Sequence, residues 1–113
     1  MDWNALDEVE AWELVLRSAL QSRVGGITIA RDNRGASIFF TEGERLETFD
    51  HLPAPAIDRM ARYLKRMAAI DPYKCAPQEG LSVAELDEAQ YTLTVRTVKG
   101  SVGEDLEIRV GTL

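Results

Sequence analysis

Residues 26–50 read GITIARDNRGASIFFTEGERLETFD, and this stretch decides the fold. Three short runs in it alternate between apolar and polar residues, which is the pattern of strands with one buried face. The segments RDNRG and EGE between them carry the glycine, asparagine and acidic residues that are typical of tight turns. The stretch therefore predicts an antiparallel meander. Its three strands are residues 26–30, 36–41 and 45–50.

Residues 6–22 are predicted to form an amphipathic helix before this meander. Acidic side chains fill its first turns, where they favour a helix, and Gly25-Gly26 stops it. Arg17 follows Glu13 by four residues, which is the favourable order for an ion pair. The apolar residues at helical spacing are Val9, Trp12, Leu16 and Ala19, with Leu20 beside them.

Residues 56–70 are predicted to form a second helix after the meander. His51 and the proline-rich LPAP introduce it, and Asp71-Pro72 ends it, because a residue before proline avoids the helical region. Asp58 is spaced to form an ion pair with Arg62. The apolar face consists of Ile57, Met60, Ala61, Leu64, Met67 and Ala68.

The remaining sequence predicts a loop and further strands. Residues 73–80 are expected to form the loop, and alternation resumes at residues 81–86, 91–98 and 106–110. The order is helix, three strands, helix and then two or three strands. This order predicts an α+β fold in one domain, residues 1–113, with two main helices packed on an antiparallel sheet.

Composition excludes several classes of function. The chain has 113 residues and a formal net charge of −6, which argues against a dedicated binder of nucleic acid or of an anionic membrane. One cysteine, Cys75, and one histidine, His51, are too few for a disulfide framework or a structural zinc site. No apolar run is long enough to cross a bilayer, and the acidic start is unlike a signal peptide, so we expect a cytoplasmic protein with no membrane insertion.

No residue pattern predicts catalysis. His51 is expected in a turn or capping role, and Cys75 is expected to be an unreactive core or loop residue. The pairs Glu42/Glu44 and Asp87/Glu88 lack the spacing of a cation loop and are expected in solvated turns. Phosphate-binding and dinucleotide-binding glycine motifs are absent from the sequence. The chain is therefore predicted to be no enzyme and to hold no cofactor or metal.

The second helix carries the most basic stretch, which includes Lys65. Two interpretations are open: a solvated helix face, or a surface that attracts an acidic partner or a phosphate. Trp3 is expected to be exposed and to add to such a surface. The candidate partner-binding residues are Arg59, Arg62, Arg66 and Lys74.

Three segments carry a resemblance to a known family. They are YLKRMAAID at residues 63–71, PQEG at 77–80 and VRTVKGSVGE at 95–104. Together they resemble the N-terminal domain that precedes the motor core in type II secretion and type IV pilus assembly ATPases, where PQEG corresponds to a turn. The similarity extends from about residue 11 to residue 110. It implies a PAS-like α+β fold that packs against a RecA-like ATPase core in a hexamer.

Several positions depart from that family. Thr28 and Val102 replace histidines, Thr94 replaces an arginine, and Gly25-Gly26 replaces a Ser-Asp pair. The arginine-rich loop before PQ becomes Lys74-Cys75-Ala76. A guanidinium binds phosphate through a planar fork that these residues lack, so the resemblance implies a divergent copy without its share of the nucleotide site. Lys74 and Arg96 stay open as alternative contacts.

These observations favour a non-catalytic protein-interaction or regulatory domain. Its expected partner is a protein, such as an ATPase core or another secretion or pilus component, and a homo-oligomer is also open. The chain is expected to be a fragment of a longer ATPase-like protein or a stand-alone relative. The alternative function is a PAS-like sensor that holds a small ligand. Its pocket would be lined by Trp12, Phe39, Phe49 and Tyr91.

Overall fold

The computed structural model describes residues 1–71, 73–74 and 77–113 and has an α+β fold. A short 3-10 turn, η1, precedes the first helix, and each helix is followed by three strands. This order matches the predicted one and settles the number of C-terminal strands at three. The elements are η1 Trp3–Ala5, α1 Glu8–Gln21, β1 Gly26–Arg31, β2 Gly35–Glu42, β3 Arg45–Pro53, α2 Ala54–Met67, β4 Gln78–Leu86, β5 Ala89–Lys99 and β6 Glu104–Thr112.

The six strands form one antiparallel sheet in the order β3-β2-β1-β6-β5-β4. Each group of three strands is a meander, and the two meanders join where β1 pairs with β6. Ile27 lies opposite Ile108 in that central pair, and Ile29 lies opposite Leu106. All four of these side chains are buried, so the junction of the meanders is also the centre of the core.

Both helices pack on one face of the sheet. Ile27 and Ile29 of β1 are buried on this face, whereas Thr28 between them points to the opposite side, which we call the open face. The predicted apolar face of α1 is rotated, because Val9 is 39% exposed. The helix residues that are buried are Ala11, Trp12, Val15, Leu16 and Ala19 on α1 and Ala56, Ile57, Met60 and Leu64 on α2. Each large apolar side chain among them contributes about 1.5–3 kcal/mol.

Local hydrogen bonds fix the start of α1. Asp7 caps the helix, since its Oδ1 accepts a hydrogen bond from the backbone N–H of Glu10 at 2.8 Å. The Glu10 carboxylate accepts one from the backbone N–H of Asp7 at 3.2 Å. This reciprocal capping box satisfies two amide groups that a helix start otherwise leaves free, and α1 begins two residues later than predicted.

The predicted bounds are wrong where the chain passes between a helix and a strand. Strand β3 continues through His51 and Leu52 to Pro53, so that segment does not break the sheet. The predicted turn at residues 77–80 is also wrong, because β4 begins at Gln78. The helix α2 ends at Met67 and not at residue 70. The predictions that Pro72 ends this helix and that Cys75 is an unreactive core or loop residue lie outside the described residues.

Gly80 has a packing role and no turn role. An added Cβ at this position would lie 2.1 Å from the carbonyl oxygen of Ala68 and 2.9 Å from the Ile70 side chain. The chain leaving α2 therefore passes directly over β4 at a distance that only glycine permits. This close approach holds the end of α2 against the sheet.

We predict that Gly80→Ala destabilises the fold by about 1–3 kcal/mol, because the backbone of Ala68 must shift to admit the new methyl group. Urea denaturation measures the free energy of unfolding. Gly103→Ala is the matched control, since an added Cβ there meets nothing within 4 Å. Equal effects of the two substitutions would contradict the role assigned to Gly80.

Candidate functional site

Three arginines of α2 form the main candidate site. Arg59, Arg62 and Arg66 lie three and four residues apart, which places them along one side of the helix. We call these three residues the arginine stripe. Together with Glu8 and Tyr63 they line a cavity of about 150 Å³. The structure thus brings three of the four candidate partner-binding residues together.

The arginine stripe is not neutralised by ion pairs. Within the described residues, none of its three guanidinium groups lies within 4.0 Å of a carboxylate, although Arg59 donates a hydrogen bond to the Leu6 carbonyl at 3.4 Å. The predicted pair of Asp58 and Arg62 is wrong. Asp58 pairs instead with Arg31 of β1 at 2.6 Å, so Arg62 remains available to an external anion.

The other predicted contributors to this surface lie elsewhere. Lys65 is buried and forms an ion pair with Glu104 at the start of β6. Lys74 is exposed in the loop after α2, where its carbonyl accepts a hydrogen bond from the Gln78 side chain, and it does not line the cavity of the stripe. The basic surface therefore consists of arginines alone.

Trp3 is buried, so the prediction that it is exposed is wrong. Its indole N–H donates a hydrogen bond to Asp50 Oδ2 at 2.8 Å, and its ring meets Phe49 edge-on at 6.1 Å. The 3-10 turn η1 thereby fastens the N-terminal segment to β3. Because only 3% of Trp3 is exposed, it offers no contact surface to a partner.

Acidic residues of α1 border the arginine stripe. Burial raises the pKa of Tyr63, and the nearby carboxylates of Glu13, Glu8 and Asp7 raise it further. Glu8 lines the same cavity as Tyr63 and the arginines, and Glu13 lines the neighbouring cavity together with Tyr63. The helical layer presents adjacent strips of negative and positive charge.

Arg17 does not act as the sequence predicts. Its guanidinium forms two hydrogen bonds, of 3.2 and 3.3 Å, with the carboxylate of Asp87 in the β4–β5 turn. The hydrogen bond with Asp87 is the largest cause that raises the pKa of Arg17, and Glu13 makes only a minor contribution. Asp87 and Glu88 lie in an exposed turn, as predicted, and Asp87 also ties this turn to α1.

A histidine–aspartate contact holds the turn between β1 and β2. His51 Nε2 lies 2.8 Å from Asp32 Oδ2, and Asp32 Oδ1 accepts backbone hydrogen bonds from Arg34 and Gly35. His51 thus serves a turn, as predicted, but from within β3. Asp32, His51 and Ser37 border an open cavity of about 570 Å³. No hydrogen bond joins the Ser37 hydroxyl to His51, so a contact between nucleophile and base is not formed.

Two of the positions at which the sequence departs from the secretion family, Thr28 and Thr94, lie on the open face. Thr28, Thr94 and Arg96 line a cavity of about 150 Å³ together with Glu79 and Glu107. Arg96, which the sequence left open as an alternative phosphate contact, lies 3.4 Å from the carboxylate of Glu107. The charge of Arg96 is therefore partly neutralised by Glu107 on the neighbouring strand β6.

The four aromatic residues proposed for a sensor pocket do not surround one cavity. Trp12 belongs to the buried face of α1, whereas Phe39 lies opposite Thr28 in the sheet register and so points to the open face. Phe49 stacks on Phe40 at 4.7 Å. The two rings that are in contact, Phe40 and Phe49, belong to the core or pack against it.

Comparisons with models of known protein families and with curated protein sequences give no match for this chain. No helix among the described residues combines the length and apolarity needed to cross a membrane. Across residues 1–71, 73–74 and 77–113, no three His, Cys, Asp or Glu side chains gather as a metal site requires. The resemblance to the secretion and pilus ATPases stays a prediction.

We predict that Glu104→Gln lowers the free energy of unfolding by about 2–3 kcal/mol, because it leaves the buried Lys65 ammonium without its counter-charge. Glu107→Gln removes the partner of exposed Arg96 and should cost only about 0.2–1 kcal/mol. Chemical denaturation of both variants measures the difference. Equal costs would show that Lys65 finds another acceptor.

Asp32 gives a prediction for pH. The backbone hydrogen bond from Arg34 lowers the pKa of Asp32 below its usual value, and His51 lowers it further, against the opposing effect of desolvation. The charged form is therefore stabilised by folding. Its contribution is present above about pH 4 and is lost as the pH falls through the folded-state pKa.

Asp32→Asn should accordingly lower the Tm at about pH 7 and lower it by less at about pH 3. Thermal melts of the variant and the unmodified chain across this range measure the effect. Glu44→Gln, in the exposed β2–β3 turn, is the control and should leave the pH profile unchanged. A deficit of the same size at both values would rule out the charged contact as its cause.

Proposed function

We propose that this chain is a non-catalytic protein-interaction domain whose arginine stripe binds an acidic segment of a partner protein. The observation that carries the proposal is the cluster of Arg59, Arg62 and Arg66 around one cavity, where none of them forms an ion pair among the described residues although Glu8 also lines the cavity. Such a cluster is unexpected on a chain with a net charge of −6, because nearby acidic side chains are available to neutralise it.

The chemistry of the stripe favours carboxylates on a folded or extended protein segment. A guanidinium offers parallel N–H groups that match both oxygens of a carboxylate. Three guanidinium groups along one helix can therefore bind several carboxylates of a segment with repeated acidic residues. The net negative charge of the domain opposes a long phosphate polymer, so nucleic acid is the less favourable ligand.

The resemblance in sequence supports a narrower form of this proposal. Under it, the chain belongs with the PAS-like N-terminal domains of secretion and pilus ATPases, and its partner is an ATPase core or another component of such a machine. We place the chain in the cytoplasm as part of the same proposal. Its acidic composition and single cysteine are typical of that compartment.

The sensor alternative receives less support from the dimensions of the cavities. The cavity that Trp12 lines has a volume of about 150 Å³, whereas small-ligand pockets usually measure about 300–1,000 Å³. The larger cavity beside His51 is bordered mainly by polar and charged side chains. A function based on surface contact therefore fits the molecule better than one based on an enclosed apolar ligand.

The test is a charge reversal. Arg62→Glu combined with Arg66→Glu should weaken binding of a fluorescent peptide rich in Asp and Glu by about tenfold or more, since each lost charged hydrogen bond is worth about 1.5–3 kcal/mol when well formed. Fluorescence anisotropy at low and high salt measures the affinity and its ionic component.

The matched control is Arg34→Glu combined with Lys99→Glu, which changes the net charge equally at exposed positions that do not line the cavity of the stripe. It should change the affinity by less than about twofold, because screening limits distant charges. Equal losses in both double variants would reduce the effect to net charge and overturn the proposed site. A peptide that does not bind the unmodified chain would overturn it as well.

A further inference from the structure

Among the described residues, no strand pairs with the outer edge of β4. Strand β4 pairs with β5 over nine residues without a shift in register, from Gln78 opposite Thr97 to Leu86 opposite Ala89. The sequence of β4 contains no proline and no lysine. Proteins usually interrupt or charge such an edge, because its free backbone groups pair readily with another strand.

The opposite edge of the same sheet shows these protections. Strand β3 has a register shift where it passes Ile38 and Phe39, and η1 packs against it through Trp3. Its exposed positions include Arg45 and Glu47, which form an ion pair at 3.5 Å. Strand β4 also carries two charged residues, Glu79 and Glu85, but it lacks the register shift and the contact with η1 that protect β3, so β4 is the edge that is left available.

The turn after β4 determines which backbone groups point outwards. Asp87 and Glu88 both have positive φ, 51° and 68°, as a two-residue type I′ turn requires. In such a hairpin Leu86 and Ala89 form a hydrogen-bonded pair. The backbone N–H and C=O groups of Leu86, and of every second residue before it in β4, therefore point towards β5. The N–H and C=O groups that point away from β5 belong to Glu79, Leu81, Val83 and Glu85.

Two residues of this outward set also expose large apolar side chains. Leu81 is 65% exposed and Val83 is 55% exposed, and both lie on the open face. Free backbone groups and apolar side chains thus occur on the same residues. An added strand would gain main-chain hydrogen bonds and apolar contact together.

The helix side of the same edge contains a groove. Trp12, Leu16, Tyr63, Met67 and Leu86 line a cavity of about 150 Å³, which Val83, Ala84 and Glu85 of β4 also border. The indole N–H of Trp12 has no hydrogen-bond partner among the described residues. Successive side chains of an added strand point to opposite faces, so one set meets Leu81 and Val83 and the other meets this groove.

The charges at this edge specify the ligand. Glu13 and Glu85 line the groove, and Glu79 lies at the other end of the exposed apolar pair. Of the nearby cations, Arg17 is paired with Asp87, and Arg96, which lies opposite Glu79 on β5, is paired with Glu107. A second copy of the chain fits poorly, because antiparallel pairing centred on Ser82 places Glu79 opposite Glu85 of the other copy.

We propose that the β4 edge binds an extended segment of a partner protein that has apolar residues at alternate positions and Lys or Arg at its ends. The segment adds a seventh strand to the sheet beside β4. This contact is separate from the proposed binding of acidic segments by the arginine stripe and does not rest on it.

The experiment uses the full chain, labelled with ¹⁵N, and a synthetic seven-residue peptide of alternating valine and threonine with lysine at both ends. We expect saturable binding with NMR shifts concentrated at the amides of Leu81 and Val83. A peptide with glutamate in place of lysine should bind at least about tenfold more weakly, which corresponds to about 1.4 kcal/mol. A peptide with a central proline should not bind, because proline removes a strand donor.

Leu81→Lys should reduce the affinity for the lysine peptide about tenfold or more. Leu46→Lys on β3 is the matched control, since Leu46 is also 65% exposed. The chain with this substitution should bind the peptide as tightly as the unmodified chain. The variant with Arg62→Glu and Arg66→Glu should also bind it normally, which separates this site from the arginine stripe.

Four results would each overturn the inference. They are equal affinity for the lysine and glutamate peptides, shifts centred on β3, no binding at about 1 mM peptide, and self-association through β4 in sedimentation equilibrium.

Discussion

The pairing of β1 with β6 is the contact on which the rest of the structure depends. It joins two meanders that would each be a small three-stranded sheet, and it buries Ile27 against Ile108 at the point where the helices cover the sheet. A six-stranded sheet gives α1 and α2 a surface wide enough to bury their apolar faces. The same pairing places β3 and β4 at the two edges, so it also determines which strands meet other molecules.

Basic and acidic side chains are concentrated at different places on the molecule, which the net charge of −6 does not show. The arginine stripe and the groove beside β4 both lie on the side of the sheet that the helices cover. Tyr63 lines the cavities of both. Other charged residues serve the fold: Asp58 holds Arg31, Glu104 neutralises Lys65, and Asp87 ties a turn to α1. The two proposed contacts are built from charges that have no such ion pair, namely the arginine stripe and the carboxylates of Glu13 and Glu85.

Sequence periodicity predicted the element order and the α+β class because those features arise from neighbouring residues. It did not predict the start of β4, since the glycine at position 80 indicates a turn, whereas it is required by the close approach of Ala68, which is remote from any local pattern. It placed Trp3 at the surface, because the Asp50 carboxylate that anchors it is remote in sequence. The arginines were found from helical spacing, but Lys65 was separated from them by a tertiary ion pair that no local pattern encodes.

The central position of β6 has a consequence for biosynthesis. Strands β1, β2 and β3 leave the ribosome well before β6, so their inner edge stays without its partner until the residues up to Thr112 have emerged. Closure of the sheet then brings together residues from distant parts of the chain, a step that is slow because of its loop entropy. During that interval the nascent chain exposes the edge of β1, which is then open to pairing with a strand of another chain.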